Sequence, residues 1–136
     1  MPEFLVPYGS ALTAFVILGG LYLVQALVAD VVGIRAGHVP GMPVTSGHGD
    51  LLFRATRAQA NTNENLPIFL LLSVSAMLLG ASVAWTNRLV WAFVLARAAH
   101  MVAYYADVRL LRSAMFGIGT FALIGLFIVA VGALRG

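Results

Sequence analysis

Charges fall on this chain in clusters separated by long apolar runs. From Phe4 to Ala29, from Asn65 to Asn87 and from Ser113 to Leu134 there is no Asp, Glu, Lys or Arg. Each run exceeds the roughly 20 residues that an α-helix needs to cross a bilayer. A fourth stretch, Leu89 to Ala106, is apolar apart from Arg97 and His100 and a few weakly polar side chains. The pattern predicts four transmembrane helices, at approximately 6–34, 50–84, 87–108 and 112–134. Between the first two lies a segment rich in turn formers: Gly37, Pro40, Gly41, Pro43, Gly47 and Gly49. It reads as a loop. The other connections are short, and short connections produce an antiparallel up-down bundle. No repeat or linker divides the chain, so residues 1–136 are read as a single all-α integral membrane domain.

Composition agrees. Hydrophobic residues make up 61% and charged residues 10% of the 136 positions, where a soluble domain carries about 25% charged residues. A mean hydropathy of +0.96 excludes a disordered chain, a nucleic-acid module and an ordinary cytosolic enzyme. The net charge is +3, and all eight basic residues are arginine. They are scattered, not clustered as a nucleic-acid face requires. Cysteine is absent, which removes disulfides, thiolate metal sites and a cysteine nucleophile. His38, His48 and Asp50 lie close in sequence, but their spacing is irregular for a metal site and none is expected. Met1-Pro2-Glu3 lacks the positive start of a secretory signal.

The informative polar residues lie on two combs. Helix 2 opens with Arg54, Arg57, Asn61 and Glu64; helix 3 carries Arg97, His100, Tyr104 and Asp107 at the same spacing. At about 100° per residue, each set spans an arc of roughly 80°. Such a stripe is costly against lipid, so it must face another helix, a neighbouring subunit or a wet cavity. The bland alternative for Arg57, Asn61 and Glu64 is an intramembrane packing network. Pro67 frees the carbonyl of Asn63 and invites a kink near the comb. Gly117, Gly119, Gly125 and Gly132 suit close packing of helix 4. Trp85 and Trp91 suit anchors at the interface, flanking a tight turn near residues 85–87.

Arg35, Arg54, Arg57, Arg109 and Arg112 fall on one face of the membrane, and Glu3, Arg88 and Arg135 on the other. The Arg-rich face is therefore read as cytoplasmic, with loops 35–49 and 109–112 on it and both termini opposite. Measured from the expected turn, Glu64, Asn61, Tyr104 and Asp107 share a level near the cytoplasmic rim, with Arg57 and Arg112 just beyond and His100 deeper. Arg97 falls nearer mid-membrane. Its partner is either Glu64, reached by snorkelling, or a group on another subunit.

The segment Arg54 to Phe69, with Arg57-x-x-x-Asn61-x-x-Glu64-x-x-Pro67 at its heart, resembles the signature of the MAPEG family, the membrane-associated proteins in eicosanoid and glutathione metabolism. Arg97-x-x-His100-x-x-x-Tyr104 is similar to the family's third-helix motif. Arg112-Ser113 resembles an Arg-Ser pair that one branch carries at the start of its fourth helix. The resemblance covers nearly the whole chain.

It implies a homotrimer of four-helix subunits that binds glutathione as cosubstrate between adjacent subunits near the cytoplasmic face. The thiol would be conjugated to a lipophilic electrophile from the membrane lipids, or used to reduce a lipid peroxide, as in detoxification. By the same resemblance, Arg57, Asn61, Glu64, His100 and Tyr104 hold glutathione, and Arg35 reaches it from a neighbouring subunit. Arg112 stabilises the thiolate, with Ser113 assisting. The residue types suit these tasks. Arginine clamps carboxylates bidentately, and a nearby cation lowers a thiol pKa from about 8.5. Arg109 remains a rival for Arg112, because the spacing after Tyr104 varies by about one residue in the family. Phe116 stands where some members carry Tyr, and Asn65 replaces an aromatic. Two other functions fit the same pattern: a catalytically silent relative that binds a lipid or an anion as a scaffold, and a small four-helix transporter coupled through Glu64 or Arg97.

Overall fold

The computed structural model describes residues 1–135. After a 3-10 turn at Glu3–Tyr8 come four helices: α1 (Gly9–Arg35), α2 (Leu51–Leu78), α3 (Val83–Tyr105) and α4 (Arg109–Ala133). No strand occurs among the described residues. α1 packs on α2 and α3, and α4 packs on the same two helices. The aromatic centre is a stack of Phe69 on Phe93, ring centroids 4.3 Å apart, with Phe15 edge-on to Phe69. Leu18, Val90, Val94 and Leu126 close around it. Many large apolar side chains point outward instead, among them Val16, Leu23, Leu71, Leu95, Phe121 and Ile128. That arrangement suits a lipid solvent. α1 with its leading turn, and α4, are each long and apolar enough to cross a membrane on composition alone. α2 and α3 carry the polar combs.

The helix ends differ from the sequence-based limits, for identifiable reasons. α2 stops at Leu78, not near residue 84. Gly80 takes φ +64°, and the amides of Gly80 and Ala81 fold back onto the carbonyls of Met77 and Ala76 at 3.2 and 2.9 Å. This glycine-terminated cap satisfies the last carbonyls of the helix. The turn is therefore 79–82, and Trp85 lies inside the first turn of α3, with Arg88 against its ring. Asp107 ends α3 in the same way at φ 54°, and the Val108 amide reaches the Ala103 carbonyl at 2.9 Å. Asp is among the few non-glycine residues that tolerate this region. Asp107 is thus a helix terminator; the cleft described below does not include it, and α4 begins at Arg109 instead of Arg112. Asp50 caps α2 by accepting the Leu52 amide at 2.9 Å. α2 runs unbroken through Pro67.

Moving the turn also moves Arg97. With the turn at 79–82, Arg97 and Asn61 lie almost equally far from it on adjacent helices. Arg97 Nη1 donates to Asn61 Oδ1 at 2.6 Å. The partner within the chain is therefore Asn61 and not Glu64, which pairs with Arg57. Its guanidinium is 1% exposed and lies 5.4 Å from the centroid of Phe93 and 5.7 Å from that of Phe116. On α4, Gly119 leaves the room: a Cβ there would stand 2.5 Å from Arg97 Nη2. Gly125, further along α4, approaches Leu89 in the same manner.

The opposite end of the bundle is latched. Asn87 accepts the Ala11 amide at 3.1 Å and donates to the Pro7 carbonyl at 3.2 Å. Trp91 Nε1 donates to Ser10 Oγ at 2.9 Å, and the Tyr8 hydroxyl donates to the Ala81 carbonyl. The start of α1, whose first amides have no intrahelical partner, is thereby tied to α3 and to the turn before it.

Two measurements check this packing. Gly119→Ala should lower stability in detergent by about 1–3 kcal/mol by overpacking a confined guanidinium. Gly125→Ala should cost much less, because the half-buried Leu89 end can rotate away and alanine is the better helix former by about 1 kcal/mol. Equal thermal shifts would contradict this. Asn87→Ala, which removes two hydrogen bonds, should cost about 1–3 kcal/mol and speed proteolysis before Gly9.

Candidate functional site

Three helices converge on one polar cleft. α2 supplies Asn61, α3 supplies His100 and Tyr104, and α4 supplies Arg112, Ser113 and Phe116. The cleft has a volume of about 220 Å³. His100 and Tyr104 stand one helical turn apart on the same face of α3, their rings edge-on with centroids 4.9 Å apart. His100 is buried, and its Nδ1 has no hydrogen-bond partner within the chain. Arg112 lays its guanidinium over the Tyr104 ring, 4.5 Å from the centroid, in a cation–π contact.

The electrostatics are lopsided. α4 begins with Arg109 and Arg112 and has no acidic residue in its first turn. The free amides of a helix N-terminus already carry a positive partial charge, so cations are disfavoured there. Among the described residues no carboxylate pairs with Arg112. The cleft therefore holds an uncompensated cation beside a positive helix end, an arrangement that attracts anions. Arg112 lines the cleft and Arg109 does not.

The other expected residues lie elsewhere. Arg57 and Glu64, two turns apart on α2, pair with each other at 3.6 Å with roughly half of each side chain exposed. Arg57 opens onto a separate hollow of about 350 Å³ with His38, Met42 and Phe53. Arg35 is exposed in the last turn of α1 and lines none of these hollows. The helix 2 comb is thus split. Asn61 turns inward to Arg97, Arg57 and Glu64 sit on an open edge, and Arg54 Nη1 donates to the His48 carbonyl at 2.6 Å. A larger hollow of about 410 Å³ lies between the ends of α1 and α2, but it holds Asp30 and no arginine. It is a poor place for an anion.

His48 is the residue that sequence spacing missed. Its Nδ1 lies 3.1 Å from Arg112 Nη1, across 64 residues of chain. Its ring stands edge-on to Phe53 and tilts toward Tyr104. Nothing in a Gly/Pro-rich loop marks one histidine over another. His38, in the same loop, pairs with the Met42 carbonyl instead.

An apolar groove continues from the cleft along the α2–α4 seam. It is lined by Ile68, Leu72, Thr120, Leu123, Ile124 and Phe127, with a volume of about 290 Å³. Thr120 stands one turn beyond Phe116 and donates to its carbonyl at 3.0 Å. Polar cleft and apolar groove are therefore successive stretches of one seam.

A search among curated proteins finds no match. Among protein families, residues 10–132 match the MAPEG family, a span that takes in all of α2 and α3, both combs and the Arg112 cleft: this chain is a membrane protein of the MAPEG family.

Proposed function

We propose that this protein is a glutathione-dependent membrane enzyme that holds the thiol as a thiolate on Arg112 and transfers it to a lipophilic electrophile, or uses it to reduce a lipid peroxide. The observation that carries this reading is the lone guanidinium of Arg112 in a cleft with Ser113, Tyr104, His100 and Asn61. A cation there stabilises sulfur as an anion and lowers the thiol pKa. Arginine cannot accept the proton, so its role is electrostatic. The Ser113 hydroxyl can donate to the same sulfur. Tyr104, Asn61 and His100 offer donors and acceptors to an amide skeleton. The α2–α4 groove is the route by which an apolar cosubstrate reaches the sulfur from the bilayer.

The cleft offers one arginine and no carboxylate to a tripeptide with two carboxylates and an ammonium, and the remaining expected contacts lie on an exposed edge. Arg57 can clamp a carboxylate and Glu64 can take the ammonium once their mutual contact opens. Arg35 meets this edge only if another copy brings it there, which supports a homotrimer with the ligand between subunits. The excess of arginine at the end that holds the α1–α2 loop and the start of α4 supports reading that end as cytoplasmic.

The ultraviolet thiolate band on adding glutathione to purified protein tests the reading. The band should form in the native protein and persist well below the free thiol pKa of about 8.5. Because a cation favours the ionised form, Arg112→Ala should return band formation toward that value and cut turnover about 10²–10³-fold. Arg109→Ala should retain both. A titration showing tight binding with no band at any pH would establish a silent, anion-binding relative instead. Glu64→Gln should weaken binding by roughly tenfold or more, as expected for a lost charge-assisted hydrogen bond, while leaving the pH of band formation unchanged. Native mass spectrometry from detergent should give three chains; a single chain that binds at full affinity would exclude the shared site.

A further inference from the structure

The thiol proton needs an acceptor, and the reading above assigns none. Arg112 has only donors, and the hydroxyls of Ser113 and Tyr104 are poor bases. His48 is placed to take it. Arginine being donor-only, the 3.1 Å contact with Arg112 Nη1 makes His48 Nδ1 the acceptor. The ring therefore turns the Nδ1 lone pair toward the guanidinium that would hold the sulfur.

The loop is built to keep it there. Arg54 Nη1 fixes the His48 carbonyl at 2.6 Å, Phe53 meets the ring edge-on at 4.9 Å between centroids, and Asp50, two residues on, caps α2. The groups facing this imidazole are Phe53 from α2, Tyr104 from α3 and Arg112 from α4; Arg54 holds the backbone carbonyl of the same residue, and Asp50 lies on its own segment. His100 also lines the cleft, but it is buried. His48 is only half-buried and can pass a proton to water.

We propose that His48 is the proton acceptor of the site, an inference that rests on the thiolate reading of Arg112. When the thiol enters, the Arg112–His48 hydrogen bond opens. The S–H bond breaks and its electron pair stays on sulfur. The proton bonds to His48 Nδ1, giving an imidazolium, and the freed Arg112 N–H turns to the thiolate. A neutral thiol and a neutral imidazole become one anion and one cation. The imidazolium then releases its proton to water.

Stopped-flow recording of the thiolate band, across pH, separates this role from mere positioning. His48→Gln keeps an oxygen able to accept from Arg112 but has no base, so the band should form about 10²-fold or more slowly, with glutathione affinity by calorimetry unchanged. In His48→Ala the lost rate should return in proportion to added imidazole. If His48→Gln forms the band at the native rate with the native pH profile, His48 only positions Arg112 and the proposal is overturned, while the thiolate reading stands. If the native protein itself binds glutathione without a band, the thiolate reading and this proposal fall together.

Discussion

A guanidinium buried inside a membrane protein must be accommodated, and the arrangement of three helices here follows from accommodating that of Arg97, whose Nε stays without a hydrogen-bond partner within the chain. An unpartnered charge at such depth is expensive. Asn61 on α2 supplies an acceptor, the faces of Phe93 and Phe116 supply π-density, and Gly119 on α4 supplies space. Each contact comes from a different element or turn. Together they fix how far α2 slides along α3 and how closely α4 approaches. Once that register is set, His100 and Tyr104 follow one and two turns later on α3. They then face the first turns of α4, where Arg112 stands. The polar cleft is a geometric consequence of housing a different arginine one layer deeper.

The two arginines are treated in opposite ways. Arg97 is sealed and has a partner, so it serves the fold. Arg112 sits at a helix end that already repels cations, has no carboxylate beside it, and is touched by a ring face and an imidazole. A protein holds a cation in that setting only if something else compensates it. An anionic ligand is the simplest compensation. The seam then changes character within about two helical turns, from Arg112 and Asn61 to Thr120 and Ile68. Water-soluble and lipid-soluble reactants can thus meet at one place without either crossing the other's solvent.

What a single chain leaves open is equally informative. Arg57, Glu64 and Arg35 carry the strongest charges of the expected ligand set, yet they lie outside the cleft. Half-exposed arginine and glutamate on the edge of a membrane helix, with apolar surface around them, form an edge better suited to a neighbouring protein surface than to lipid. The α1–α2 loop adds the fourth wall, pinned from α2 by Arg54 and reaching α4 through His48.

Much of this was legible in residue order. Four uncharged or nearly uncharged runs of spanning length give four helices, because helix length and apolarity are local properties. The spacing Arg57, Asn61, Glu64 and Arg97, His100, Tyr104 identifies the stripes, because 3.6 residues per turn fixes which side chains share a face. The motif identifies the family. Spacing fixes a face but not the register between helices. A turn placed near 85–87 instead of 79–82 set Arg97 too deep and hid Asn61 as its partner, since Gly80 ends α2 through a left-handed backbone angle that hydropathy does not record. Nor does spacing say which members of a stripe meet. Asn61 turns in while Arg57 and Glu64 stay out, and Arg112, not Arg109, enters the cleft, because those choices depend on the room left by Gly119 and on where Asp107 stops α3. The contact of His48 with Arg112 joins positions 64 residues apart. The sequence by itself determined the elements and the cast of reactive groups; only the packing of four helices and one loop decided which of them touch, because contact is set by register and close approach, which no local period encodes.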